Sequence, residues 1–201
     1  MPHFELENQY RAQGFTAICG VDEAGRGPLS GPVVAAACIL PPDFEIGELN
    51  DSKKLTPKKR DMLYDRIVAG AVAYSIASAS PAEIDSLNIL NATMLAMKRA
   101  IDGLSKKPDL ALIDGNTSRG FTVPNKTVVH GDAISQSIAA ASILAKVTRD
   151  RLCYEYDKEF PEYGFAKHKG YGTKLHTDAI KKYGVTPIHR PSFLVKLFKD
   201  E

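Results

Sequence analysis

The sequence predicts an α/β domain, a mixed five-stranded sheet flanked by helices, with a small C-terminal helical subdomain. Three observations predict it. Short apolar runs bearing Val or Ile and bounded by Gly and Pro read as strands. Segments with apolar residues at helical spacing lie between and after them. The tail from Pro161 onward turns richer in Gly, Pro, His and Lys, and holds only short helical stretches.

The elements follow in order. Ala17 to Asp22 (AICGVD) and Val33 to Leu40 (VVAAACIL) are two strands joined by the tight GRGPLSGP segment. Thr56-Pro57 places a capping hydroxyl before a proline at the first helical position, which opens a helix through about Ala69. Ala71 to Ser80 is a third strand. Leu90, Met94, Met97, Ile101 and Leu104 recur at spacings of four and three, one face of a helix from about Asn88 to Leu104. Leu110 to Ile113 and Thr127 to Val129 are the fourth and fifth strands. A long helix is expected from Ala133 to about Phe160, with Ile134, Ile138, Ala141, Ala145 and Leu152 on one stripe. Shorter helices are expected near Lys174–Lys182 and Pro191–Phe198. Short links favour antiparallel pairing of the early strands, and helical crossovers favour parallel pairing of the later ones.

A chain of 201 residues has room for one sizeable domain and an appendage. The division expected is a domain over 1–160 and a helical extension over 161–201. No apolar run approaches the roughly 20 residues that span a bilayer, so no membrane association is expected. Met1 to Gln13 is polar and does not read as a secretory signal. Cys19, Cys38 and Cys153 match neither a zinc site nor a redox pair, which suits buried, reduced thiols in a cytoplasmic protein. A net charge of +2 does not announce a nucleic-acid binder. Lys53, Lys54, Lys58, Lys59 and Arg60 nevertheless form one basic cluster, and Lys167, Lys169, Lys174, Lys181 and Lys182 another. Either is a solvated face unless the fold brings them to one groove.

The chemistry points to carboxylates. Asp22 and Glu23 follow AICGV, Asp114 follows LALI, and Asp132 follows VVHG. A buried strand should not end in a carboxylate without a partner, because an unpaired buried charge is costly. Asp114-Gly115 could be only a turn, and Asp132 only the cap of the following helix. Neither a turn nor a cap asks for the adjacent pair Asp22-Glu23. Several carboxylates without His or Cys suit hard cations such as Mg²⁺ or Mn²⁺. Two such ions can activate water and stabilise the departing oxygen of a phosphodiester. Gly25-Arg26-Gly27, two residues on, can present amides to an anion. The segment His168-Lys169-Gly170-Tyr171-Gly172-Thr173 combines phosphate-binding residue types with an aromatic able to lie against a sugar or base. It also reads as a surface loop with Thr173 capping the next helix. Lys53 and Lys146 are further candidates for phosphate contact, although Asp150 is an i,i+4 partner for Lys146.

Together, GVDEAGRGPLSGPV, DSKKL, IDSLNIL, LIDGN, HGDA, ASILAKVTRDR and HKGYGT resemble bacterial type 2 ribonuclease H, ribonuclease HII, along nearly the whole chain. The resemblance implies a ribonuclease-H-like fold with a C-terminal extension that contributes to substrate binding. It implies Asp22, Glu23, Asp114 and Asp132 as catalytic, metal-binding acids for Mn²⁺ or Mg²⁺, with two divalent ions when substrate is bound. Gly25, Arg26 and Gly27 would grip the backbone at the scissile step, and Tyr171 would stack on the following deoxyribose and help sense the 2′-hydroxyl. His168, Lys169, Lys53 and Lys146 would assist binding. The implied partners are RNA–DNA hybrids and duplex DNA containing ribonucleotides, cut 5′ of the ribonucleotide to leave a 3′-hydroxyl and a 5′-phosphate. A monomer is expected. The rivals are a DNA-cutting nuclease of the same superfamily and a non-catalytic hybrid-binding protein.

Overall fold

The computed structural model describes residues 2–44 and 55–198. Lys53, with Lys54 of the first basic cluster, lies outside the described residues.

Five strands form one sheet: β1 (Ile18–Ala24), β2 (Val33–Ile39), β3 (Ala73–Ala79), β4 (Leu110–Asp114) and β5 (Asn125–Val128). Their order is β3-β2-β1-β4-β5. The β1–β2 and β2–β3 pairs are antiparallel, and β1–β4 and β4–β5 are parallel. The short loop between β1 and β2 gives the expected antiparallel pair. The other links depart from expectation: β2–β3 is antiparallel across a connection that carries a helix (Pro57–Gly70), and β4–β5 is parallel with no helix between its strands. Every residue of β2 (VVAAACI) is buried, as expected of a strand covered on both faces.

Helices α2 (Pro57–Gly70), α3 (Pro81–Leu87), α4 (Ile89–Asp102) and α5 (Gln136–Glu159) supply that cover. On one face Val33, Ala35 and Ala37 pack with Ala92, Ala96, Met97 and Ala100 of α4. On the other, Ala36 and Cys38 pack with Leu63 and Ile67 of α2 and with Ala140, Ile143 and Leu144 of α5. The period-two alternation of β2 therefore feeds two separate cores. Thr56 caps α2 through its hydroxyl and Pro57 follows, as the sequence predicts. The start of α5 rests directly on β1. A Cβ at Gly20 would stand 2.1–2.4 Å from the backbone of Ser137 and Ile138, so only glycine admits this approach.

Several boundaries differ from expectation. Helix α1 (Glu5–Arg11) was not anticipated; its Glu7 is wholly buried and accepts hydrogen bonds from Ser135 Oγ (2.6 Å) and Ser137 N (2.9 Å). Helix α3 was also missed, although Ser80 and Glu83 form a full capping box around Pro81. The long helix begins at Gln136 rather than Ala133, capped by Ser135, and Gly131–Ala133 forms a separate 3-10 turn. Ile134 precedes α5 and is exposed, so it does not belong to the buried stripe.

Beyond α5 come α6 (Phe165–His168), α7 (Lys174–Tyr183) and a short α8 (Pro191–Leu194) that ends well before Phe198. Tyr163, Phe165, Ala179, Ile180 and Leu194 form their own small core, with Leu29, Tyr156 and Phe160 packed against it. The three cysteines are buried and free. Among the described residues no helix is long and apolar enough to cross a membrane.

Candidate active site

The parallel register of β1 and β4 pairs Val21 with Ile113, which brings Asp22 and Asp114 side by side at the next step of two neighbouring strands. Asp22 is opposite Ala36, whose side chain belongs to the core beneath α5, so both carboxylates lie on the α5 face. Asp22 Oδ1 accepts from Glu23 N at 2.7 Å, and Ser142 of α5 hydrogen-bonds its side chain. Asp114 Oδ1 accepts from Gly131 N at 2.7 Å, which fastens the 3-10 turn against the end of β4. The pleat directs Glu23 to the other side of the strand end. There it keeps most of its carboxylate covered and pairs with Arg26 at 3.4 Å.

These groups line one cavity of about 460 Å³, together with Gly25, Arg26, Gly27, Arg60, Lys146, Arg149 and Tyr171. Of the sequence-predicted residues, Asp22, Glu23, Asp114, Gly25, Arg26, Gly27, Lys146 and Tyr171 thus meet. Asp132 does not line the cavity. It is buried in the 3-10 turn, one residue beyond the amide that Asp114 holds, and it is not the cap of α5. His168 is buried, and Lys169 turns away, its Nζ donating to Ala166 O (2.6 Å) and lying 3.5 Å from the Tyr154 ring centroid. Lys146 faces the cavity while pairing with Asp150 at 2.6 Å, and Arg60 lies 3.7 Å from the same carboxylate.

Burial first, and then the charges of Glu23 and Asp114, hold the Asp22 carboxyl well above the usual carboxylate range. An array of like-charged oxygens that resists ionisation is what a hard divalent cation relieves. Among the described residues no group of three or more His, Cys, Asp or Glu is arranged to hold a metal ion by itself, so Asp22 and Asp114 on adjacent strands are the donors on offer. An open array fits a cation of the Mg²⁺ kind, which is commonly bound by one or two carboxylates completed by water and substrate phosphate. The donor set therefore fits such an ion.

The Gly25–Pro32 loop is held by two arginines that sequence reasoning did not single out. Arg190, wholly buried, donates to the carbonyls of Gly31 (2.8 Å), Arg26 (3.1 Å), Pro28 (2.7 Å) and Gly25 (2.7 Å). Arg149 of α5 donates to Pro32 O (3.4 Å), Ser30 O (3.2 Å) and Lys169 O (3.0 Å). With the loop carbonyls turned inward to the guanidinium groups, the Gly25, Arg26 and Gly27 amides make no backbone hydrogen bond among the described residues. Gly25 sits at φ +98°, and a Cβ there would stand 2.1 Å from Arg149 Nε. A Cβ at Gly27 would lie 3.5 Å from the Tyr171 ring, so the glycine loop and Tyr171 are neighbours at the cavity.

A family model described as Ribonuclease HII matches residues 19–196. The chain belongs to the ribonuclease HII family. Ribonuclease HII of Desulfitobacterium hafniense (strain DSM 10664 / DCB-2) is 58% identical over 187 residues, which cover 93% of this chain and 72% of that one. Ribonuclease H2 from Pyrococcus horikoshii OT3 superposes with a TM-score of 0.76 at 27% identity, covering 92% of this chain and 98% of its own. The Mn²⁺ complex of Bst-RNase HIII shares the fold at a TM-score of 0.66 and 14% identity, over 92% of this chain and 71% of its own. The ribonuclease-H-like fold follows, and with the family a metal-dependent endonuclease having ribonuclease H activity on RNA–DNA hybrids.

Proposed function

We propose that this ribonuclease H also incises duplex DNA on the 5′ side of an embedded ribonucleotide, leaving a 3′-hydroxyl and a 5′-phosphate. One observation carries the reading. Asp22, Glu23 and Asp114, the Gly25 to Gly27 segment and the half-exposed Tyr171 all line one cavity.

In this reading Asp22, Glu23, Asp114 and Asp132 would hold Mg²⁺ or Mn²⁺, two ions with substrate present, and such ions would supply Lewis-acid polarisation of the phosphodiester and an activated water. Asp132 adjoins Gly131, whose amide donates to Asp114, which brings its turn beside the set. Ser142 and the Glu23 amide orient Asp22 by their hydrogen bonds. The Gly25–Gly27 amides donate to the phosphate at the scissile step, and Arg26 adds charge there. Tyr171 lies flat on the sugar that follows the ribonucleotide, where a deoxyribose fits and a ribose adds a hydroxyl. Residues 1–160 thus supply the acids, and 161–201 supply the aromatic and part of the binding edge. Lys146 and Arg60, tied to Asp150, border the cavity as cations for the flanking phosphates.

The test is a DNA duplex carrying one ribonucleotide, incubated with and without Mg²⁺ or Mn²⁺, with the cut mapped at nucleotide resolution. Metal-dependent cutting immediately 5′ of the ribonucleotide is expected, with an all-DNA duplex left intact. Equal cutting of the all-DNA duplex, or cutting only within long hybrids, defeats the reading.

A further inference from the structure

Three histidines are packed into the C-terminal core, and none of them reaches the cavity. His168 and His176 stack with ring centroids 4.4 Å apart and an interplanar angle of 14°. His176 Nε2 lies 3.1 Å from His189 Nε2. Their backbone partners fix every proton. Thr186 N donates to His189 Nδ1 at 2.9 Å, so the proton of a neutral His189 ring is on Nε2 and points at His176. His176 Nε2 then accepts, which leaves its own proton on Nδ1, 3.0 Å from the Tyr171 carbonyl. In parallel, Gly170 N donates to His168 Nδ1 (3.1 Å), and His168 Nε2 donates to Tyr163 O (2.8 Å). Burial pushes all three rings below the usual histidine range, His176 to about 4, in keeping with neutral rings at neutral pH.

Both wires end on the same short stretch of chain: His168 takes the Gly170 N–H and His176 supplies a donor to the Tyr171 carbonyl. The Tyr171 ring is half exposed, so its place depends on this main-chain anchorage more than on packing of the ring. His189 is followed by Arg190, whose guanidinium gathers the carbonyls of Gly25, Arg26, Pro28 and Gly31. One dipeptide therefore addresses both elements that border the substrate, the glycine loop directly and Tyr171 through His176.

We propose that His176 and His189 are positioning residues, a neutral imidazole relay that sets the Tyr171 main chain, and with it the preference for a ribonucleotide junction. This rests on the reading of Tyr171 given above. The relay needs a donor at the Nδ1 position of His176. His176→Leu removes it at similar bulk, and His176→Asn replaces it with an amide N–H at that position.

The measurement is kcat/KM on a single-ribonucleotide duplex divided by kcat/KM on an uninterrupted hybrid, alongside Tm. His176→Leu is expected to lower this ratio about tenfold, in line with the sensitivity of rate to small misplacement. His176→Asn restores it to within about threefold, and His176→Leu adds nothing in a Tyr171→Ala background, as coupling through one group requires. A ratio that stays constant in His176→Leu while Tyr171→Ala lowers it overturns the relay and leaves the reading of Tyr171 standing. If Tyr171→Ala itself leaves the ratio constant, that reading fails and the relay's role falls with it. Nitrogen-15 NMR of the wild-type imidazoles tests the relay without substitution: protons are expected on Nδ1 of His176 and on Nε2 of His189 and His168 at pH 7. A proton on Nε2 of His176, or a cationic ring in the set, overturns the proposal.

Discussion

The acid edge and the reading edge of the cavity are built in opposite ways. Asp22 and Asp114 are placed by neighbouring strands in parallel register, so the ladder itself fixes their separation. The Gly25–Pro32 loop and the His168–Thr173 segment belong to no strand and hold their places through buried side chains, the first through arginines distant in sequence and the second through His176 five residues on. In the proposed reading the chemistry sits on the sheet, and discrimination sits on two loops tied by guanidinium and imidazole groups. Catalysis and selectivity should therefore fail separately.

The sharpest break is expected on the acid edge. Asp22→Asn or Asp114→Asn should lower cleavage by on the order of 10³-fold, comparable to the loss of a major electrostatic contributor. Duplex binding, measured by anisotropy, should change little, because the basic and amide groups remain. Without divalent metal Asp22→Asn should not lower Tm, since it removes a buried carboxylate pressed by Glu23 and Asp114. Normal turnover by either variant would remove these acids from the metal site.

The complementary break is Arg190→Met. It leaves the acids untouched and deprives the carbonyls of Gly25, Arg26, Pro28 and Gly31 of their buried donor. Stability should fall by about 3 kcal/mol, as expected when buried acceptors lose charged partners. KM for both hybrid and junction substrates should rise. Arg190→Lys should recover little, because one ammonium cannot span four carbonyls as a guanidinium fork does. Recovery by lysine would mean that charge, not geometry, holds the loop.

This contrast also explains what the sequence made legible. Strand endings, glycine-flanked turns and capping residues are local, so position marks Asp22, Glu23, Asp114 and the Gly25–Gly27 loop as candidates, and the fold brings them to one cavity. Arg149 and Arg190 could not, because an arginine in a sequence reads as surface until the fold surrounds it with carbonyls. His168 and Lys169 were assigned to substrate by residue type, yet burial and the Tyr154 ring give them internal places. Asp132 precedes the long helix and looked like its cap; Ser135 takes that role, with Glu7 of the unforeseen α1 accepting from Ser135 and Ser137. The sequence did carry a signal for α3 in Ser80-Pro81-Ala82-Glu83, but the preceding strand pattern absorbed Ser80. Helix α6, four residues long, is too short for periodicity to reveal.

The two edges should also respond differently to pH. The folded state disfavours protonation of His168, His176 and His189, while the unfolded chain binds protons near pH 6.5. Below pH 6.5 the unfolded state therefore holds more protons, and stability falls with pH until His176 titrates at about 4. Neighbouring charges are few: Asp157 favours a proton on His168, and Lys169 opposes it. Urea unfolding between pH 7.5 and 4.5 should show a loss of up to about 3 kcal/mol from His176. The His176→Asn variant should flatten that slope. An unchanged slope would place the acid sensitivity elsewhere.

The smallest expected effect isolates the comparison from global stability. Ser80 and Glu83 cap α3, and Glu83 also binds Arg99 Nη2 at 2.7 Å, with its carboxyl lowered to about 2 by that guanidinium. This cluster borders none of the cavity. Ser80→Ala should cost about 1 kcal/mol, the usual worth of a cap, and lower Tm by a few degrees. Neither turnover nor the junction-to-hybrid ratio should move at a temperature where the variant is folded. If the ratio did move, discrimination would track overall stability, and the separate construction of the two edges would lose its functional meaning. If it holds while His176→Leu shifts it, the effect of the relay cannot be ascribed to stability alone.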